Sequence, residues 1–200
     1  MKKIIKNTLI LTAITVISGL ALGAVFEVTE KPIADAKAAA KQEACQQVYP
    51  EADAFEPVEV DEKAAKQAVK EMGTNATVDE VYTAQMGGED VGYVVTATDK
   101  DGYGGNIQIS VGIMADGTVN GISILTISET AGLGMRATEP KFYNQYAGKQ
   151  AARFYVAKDG GEGEPIDALS GATITSRAVT GAVNTALGYY QNALGGSGNE

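Results

Sequence analysis

Histidine and tryptophan are absent from this chain of 200 residues, and cysteine occurs once, as Cys45. Without histidine the chain lacks the commonest general base at neutral pH and the commonest imidazole metal ligand. A single cysteine excludes an internal disulfide, a Cys-x-x-Cys redox pair and a cysteine-held iron–sulfur cluster within one chain. A redox role would therefore need an organic cofactor. Positive charge is also scarce. Sixteen Lys and Arg against 25 Asp and Glu leave a net charge of −9, which repels phosphate backbones and argues against nucleic acid as a partner. The length suits one globular domain with an appendage, and 44% hydrophobic residues supply a core.

What is present begins with an apolar run. Lys2, Lys3 and Lys6 precede 20 uncharged residues, Asn7 to Phe26, and Glu27 and Glu30 follow. As a helix the run spans about 30 Å, enough to cross the hydrocarbon core of a bilayer. The positive-inside rule puts residues 1–6 in the cytoplasm and the rest of the chain outside. Ala21-Leu22-Gly23 offers a signal-peptide cleavage site as the alternative. The run continues through Ala24-Val25-Phe26 without a polar region, which favours a retained transmembrane anchor at 7–26. Both readings export the remaining chain.

Residues 27–75 read as a helical lead-in. Ile33 to Val48 is rich in Ala, Lys and Gln, and Tyr49-Pro50 ends it because a residue before proline leaves the α region. Cys45 sits in this helix, as a small buried apolar residue or, less in keeping with that setting, a reactive thiol. Residues 51–60 read as a loop. Asp61 caps a second helix from Glu62 to Met72, which Gly73 stops.

A β meander follows. Val91, Tyr93, Val95 and Ala97 alternate; Ile107, Ile109, Val111 and Ile113 keep strict period two. Ala115-Asp116-Gly117 has hairpin-turn chemistry. The return strand, 118–127, places Ile122 and Ile124 on one face and Leu125 and Ile127 on the other. Three or four antiparallel strands result, giving an α+β fold: an antiparallel sheet with flanking helices, plus the one N-terminal transmembrane helix. Pro140 to Ala147 reads as a short helix, 152–157 as a strand, and Asp159 to Pro165 as a loop. Val179, Val183, Ala186, Leu187 and Tyr190 form the core stripe of a final helix.

Three stretches stand apart. Gly102-Tyr103-Gly104-Gly105 is either a flexible loop or a place of close backbone approach to a planar ligand, with Tyr103 nearby. Glu129-Thr130-Ala131-Gly132-Leu133-Gly134 is either a surface loop or a wall over a cofactor. Asp167-Ala168-Leu169-Ser170-Gly171-Ala172-Thr173-Ile174-Thr175-Ser176 sets four hydroxyls, a carboxylate and a step without bulk ahead of a helix expected to start near Thr175 and Ser176. Alone, those hydroxyls read as a loop and helix cap; the same end of a helix also attracts phosphate.

Asp-x-x-Ser-Gly-Ala-Thr followed by Thr-Ser and a helix resembles the flavinylation motif of the FMN-binding domain family. Glu-Thr-x-Gly-Leu-Gly resembles its second signature, with Ala131 in place of the usual Pro and Ser128 where relatives often carry His. Gly-Tyr-Gly-Gly before a strand resembles the pattern of Rnf-type G subunits. The resemblance covers residues 1–192. It implies FMN joined through its phosphate to Thr173 as a phosphodiester, with Thr175 the less favoured acceptor. It also implies cofactor contacts from Asp167, Ser170, Gly171, Ala172, Thr175, Ser176, Glu129, Thr130, Gly132, Leu133, Gly134, Tyr103 and Gly104. Thr173 has no histidine to activate it, so the resemblance implies a separate flavin transferase that moves FMN from FAD and brings its own metal. Asp167 then serves either that enzyme or the turn.

The family branch implied is the G subunits of Rnf-type complexes, which pass electrons between ferredoxin and NAD and move Na⁺ or H⁺, with other membrane and redox subunits as partners. The C subunits of the Na⁺-translocating quinone reductase are the runner-up, being longer. A stand-alone exported FMN reductase and a flavin-free membrane-anchored scaffold are the readings from other classes. On this reading the FMN-binding domain is 76–194, and 195–200 is a disordered tail.

Overall fold

The structure, a computed structural model, describes residues 1–195. Two compact units divide the chain, residues 1–41 and the part from Gln42 onward. In the first, the apolar run lies within helix α1, Lys2–Val48, which is long and apolar enough to cross a membrane. The sequence reads as an apolar helix over 7–26 and a second helix over 33–48; a single helix runs through both and through Pro32 between them. The Thr8, Thr15 and Thr29 hydroxyls each donate to the carbonyl four residues back, so these polar groups are satisfied without water.

In the second unit, six antiparallel strands lie in chain order: β1 Ala54–Val58, β2 Ala76–Met86, β3 Glu89–Asp99, β4 Ile107–Met114, β5 Thr118–Thr126 and β6 Lys149–Gln150. The alternation read from β4 is realised, for Ile107, Ile109, Val111 and Ile113 are all fully buried on one face. β1 falls where a loop was expected. Phe55 and Val58 are half-buried among charged residues, and an edge strand tolerates Pro57, which has no N–H to donate. Ile127, just past β5, packs into the same core as Ile122 and Ile124 rather than the opposite face.

Helices α2, Glu62–Met72, and α4, Thr173–Tyr189, cover that face. Asp61 caps α2, accepting from the Lys63 and Ala64 N–H groups at 2.8 and 3.1 Å. On the other face Cys45, Val48, Tyr49 and Ala52 pack on Ala84 and Val94. A Cβ on Gly112 would stand 2.6 Å from the Val48 carbonyl oxygen, so glycine is what lets this backbone lie so close to the sheet. Tyr49 donates its hydroxyl proton to the Val91 carbonyl at 2.6 Å. Residues 42–75, read as part of a lead-in, thus pack into the second unit. Burial pushes the Cys45 thiol up to about 11, in keeping with a packed apolar cysteine.

The chain between β5 and α4 departs most from expectation. Gly134–Thr138 is a 3₁₀ helix, and the helix expected over 140–147 is regular only over α3, Pro140–Tyr143. Phe142 still meets Tyr146 edge-on at 6.1 Å. The loop expected before Pro165 contains β8, Glu164–Ile166, which pairs in parallel with β7, Phe154–Val156. Asn184 on α4 secures β7, accepting from the Phe154 N–H at 2.8 Å and donating to its carbonyl at 2.9 Å. The expected tail lies, apart from Gly195, outside the described residues.

Candidate functional site

The head of α4 is built by small and apolar residues. Leu169 and Ala172 are buried and anchor the approach to the helix. Gly171 turns the chain at φ +76°, a backbone conformation that glycine adopts without strain. The helix begins at Thr173, two residues earlier than the sequence suggested, and Ala172 stands at the cap position without a side-chain bond. Ser176 is fully buried behind it; its hydroxyl accepts from the Leu169 N–H at 3.0 Å and donates to the Ala172 carbonyl at 2.9 Å. Ser176 therefore shapes the loop rather than facing a ligand. The first bond of the helix runs from the Ser176 N–H to the Ala172 carbonyl at 3.0 Å. The N–H groups of Thr173, Ile174 and Thr175 precede it, as the first N–H groups of every helix do.

The Glu-Thr-Ala-Gly-Leu-Gly stretch folds against this head. The Thr130 carbonyl accepts from the Leu133 and Met135 N–H groups at 3.1 and 3.2 Å, curling the loop. Gly134 is buried where no side chain fits: a Cβ there would lie 2.6 Å from Thr175 Oγ1 and 2.8 Å from Glu129 Oε2. The Gly102–Gly105 loop joins from the other side, because a Cβ on Gly104 would collide with the Ser128 carbonyl. Three stretches far apart in sequence thus meet.

Between them lies a cavity of about 600 Å³. Tyr103 lines it from the first loop, and Glu129, Thr130, Leu133 and Gly134 from the second. Gly171, Ala172, Thr173 and Thr175 line it from the motif. Two further residues, Lys158 and Ile174, line it without having been anticipated. Lys158 sits in a short 3₁₀ turn, Ala157–Asp159, and its Nζ lies 3.5 Å from Thr173 Oγ1. Arg177, one turn into α4, holds this turn through Asp159, with Nε donating to Oδ2 at 2.7 Å. That guanidinium keeps the Asp159 carboxyl below the usual carboxylate range. No spacing in the sequence ties residue 158 to residue 173; only the turn's attachment to α4 does.

Other anticipated residues stand apart from this cavity. Gly132, at φ +75°, makes the turn before Leu133, and Gly104 packs on Ser128. Asp167 and Ser170 line a second cavity of about 600 Å³ that shares Lys158 with the first. Thr175 is 1% exposed, whereas Thr173 is half-buried.

A flat ring with a phosphate tail fits the first cavity. Tyr103, Leu133 and Ile174, exposed by 72, 43 and 45%, offer apolar surface, while the helix head and Lys158 offer donors and positive charge for a phosphate. Among the described residues Glu129 Oε1 is buried without a hydrogen-bond partner, so it is free to accept from a group bound in the cavity. Among the described residues no group of three or more His, Cys, Asp and Glu side chains could hold a metal ion.

The FMN-binding domain family matches residues 102–188, and the RnfG N-terminal region matches residues 1–48. The G subunit of the Na⁺-translocating ferredoxin:NAD⁺ oxidoreductase complex of Acetobacterium woodii is 36% identical over 196 residues, 96% of this chain and 93% of that protein. The G subunit of the proton-translocating complex of Clostridium ljungdahlii is 34% identical over 186 residues, 93% of this chain and 91% of that one. In fold the chain is similar to the crystal structure of the C subunit of Na⁺-translocating NADH-quinone reductase from Parabacteroides distasonis, with a TM-score of 0.51 over 70% of this chain and 77% of that chain, at 22% identity.

Proposed function

Because the chain belongs to the family of G subunits of ion-translocating oxidoreductase complexes, we propose that it carries one FMN bonded through phosphate to Thr173 and relays electrons within a ferredoxin:NAD⁺ oxidoreductase that moves Na⁺ or H⁺. The observation that carries this reading is the meeting of Thr173, the glycine-bearing second signature and Tyr103 around one cavity. Thr173 is favoured over Thr175 as acceptor because it is half-buried at the cavity, whereas Thr175 is almost fully buried.

FMN, when bound, supplies the redox chemistry. The residues of the chain do the rest. Thr173 Oγ1 gives the point of attachment. The α4 head and Lys158 offset the phosphodiester charge. Tyr103, Leu133 and Ile174 provide apolar surface for the ring, and Glu129 presents a carboxylate in the same cavity.

Attachment requires help. A threonine hydroxyl is a weak nucleophile without an adjacent base, and the chain has no histidine. A separate flavin transferase would supply the FMN from FAD: Thr173 Oγ1 would become bonded to the FMN phosphorus as the pyrophosphate bond breaks, with AMP as the leaving group and the hydroxyl proton taken up by the transferase. Residues 7–26 anchor the chain in the membrane with residues 1–6 cytoplasmic, which places the flavin domain on the extracytoplasmic side beside the other subunits of the complex.

The test is the mass of the tryptic peptide Asp159–Arg177 from chain expressed beside a functioning transferase. The expected mass is that of the peptide plus FMN minus water, with fragments placing the addition on Thr173. Thr173→Ala should give the bare peptide. A bare wild-type peptide, from cells shown to flavinylate another protein, would overturn the covalent reading.

A further inference from the structure

Gln145 belongs to none of the three sequence signatures, yet it grips the first residue of the attachment motif. Its Oε1 accepts from the Asp167 N–H at 2.7 Å, and its Nε2 donates to the Asp167 carbonyl at 3.2 Å. The side-chain amide thus pairs with the Asp167 main chain as a neighbouring strand would. It does so where β8 ends at Ile166 and the pairing with β7 stops.

Gln145 is itself well placed to hold something still. It lies between Phe142, which is buried, and Tyr146, which is fully buried. Tyr146 packs edge-on against Phe154 at 5.2 Å, and its hydroxyl lies 2.9 Å from Thr180 Oγ1 on α4. The same helix carries Thr173, so Gln145 ties Asp167 to the element that carries the acceptor.

The motif is therefore fixed at both ends, by Gln145 at Asp167 and by Ser176 at Leu169 and Ala172. Between these ties its residues divide in two. Leu169 and Ala172 are buried, while Asp167, Ser170 and Gly171 are exposed. The hydrogen bonds of Asp167 are those of its main chain, and its carboxylate joins none of the described ones. The fold uses the position of Asp167 and leaves the carboxylate available.

We propose that Gln145 is a positioning residue for flavin attachment: it sets Asp167 and Ser170 in a fixed relation to Thr173 Oγ1, so that the transferase meets the motif as a preformed surface. This rests on the reading of Thr173 as the attachment site. Loss of the clamp frees the start of the motif while the Ser176 end holds. The transferase must then order the segment itself, which weakens binding of the protein substrate more than the chemical step.

The experiment uses the full chain purified in detergent from cells lacking the transferase, then incubated with purified transferase, its metal and FAD. Covalent flavin is followed by in-gel fluorescence. Gln145→Met keeps the length and apolar stem of the side chain and removes both bonds. It should raise the KM for the protein substrate about tenfold and leave kcat within about twofold, with the melting temperature near wild type. Gln145→Glu keeps the acceptor for the Asp167 N–H and should recover part of the loss. Equal KM for wild type and Gln145→Met would overturn the inference while leaving the attachment reading intact. So would a slowdown in both variants that follows a lowered melting temperature, because it would mark Gln145 as merely structural. A wild-type chain that takes no flavin would instead sink the attachment reading.

Discussion

Leu133 and Gly171 touch across the two signatures: a Cβ on Gly171 would stand 3.1 Å from Leu133 Cδ2. They are 38 residues apart in sequence (171 − 133), and their contact brings the second-signature loop against the turn that leads into α4.

Gly171→Ala tests what this turn requires. The residue holds φ +76°, so a side chain meets backbone strain as well as the leucine methyl. The substitution is expected to cost about 1–3 kcal/mol, read as a lowered denaturation midpoint of the chain in detergent. Adding Leu133→Ala should recover little, since it removes the contact and leaves the strain. Full recovery in the double variant would show that crowding, not φ, makes glycine necessary.

Lys158→Ala tests the cation beside Thr173, the proposed acceptor. Its Nζ lies 3.5 Å from Thr173 Oγ1, where a phosphate would bring negative charge. Lys158 is exposed, so the loss should be that of a surface ion pair, a slowing of flavin attachment by about twofold to fivefold. Raising the salt concentration should slow the wild type and affect the variant less, because screening does what the substitution has already done. Equal salt dependence in the two proteins would remove Lys158 from the account.

Asp99 carries a pH signature. It is 3% exposed at the end of β3, with Oδ1 accepting from the Asp101 N–H at 2.8 Å. Burial pushes its carboxyl above the ordinary range, outweighing the hydrogen bond from the Asp101 N–H, which lowers it; the Asp101 charge adds a smaller push upward. The native state therefore holds the proton more tightly than the unfolded chain, and the contribution to stability falls as pH rises through the native value. Asp99→Asn keeps an acceptor and removes the charge. It should raise the melting temperature by a few degrees at pH 7, and that advantage should vanish as pH drops below the ordinary carboxylate range. An advantage that persists at low pH would point to packing instead.

Cys45 should be quiet. With burial pushing its thiol up to about 11, the thiolate fraction at neutral pH is roughly 100-fold below that of an ordinary protein thiol. A maleimide should label the native chain slowly and the denatured chain quickly. Fast labelling of the native chain would mean that Cys45 and its packing on Ala84 and Val94 open readily.

Much of the scaffold was legible because its signals are local. The strict alternation of β4, the Asp-Gly turn after it, the Asp61 cap, the Gly73 stop and the stripe from Val179 to Tyr190 each follow from covalent geometry within a few residues. Thr173 was singled out by the resemblance to the FMN-binding domain family, since composition alone reads that stretch as a loop and helix cap; the structure sets Thr173 beside a cavity with Gly134 and Gly171. β1 was hidden by its charged and proline residues. β8 was hidden because three residues carry too short a period to read, and their strand exists only by pairing with β7. The start of α4 at Thr173 was missed because no side chain caps it.

Residue order is enough to specify a histidine-free α+β chain with one apolar span and a hydroxyl-rich stretch before its last helix. It takes the folded packing to settle which of those hydroxyls faces a cavity and which is buried. The same packing makes Ser176 part of the loop's frame, brings Lys158 to Thr173 and sets Gln145 on Asp167. The reason is physical. Strand alternation, helix caps and tight turns are set by neighbours along the chain. These placements depend on how α4, β7 and the turns beside them pack together, which sequence spacing does not record.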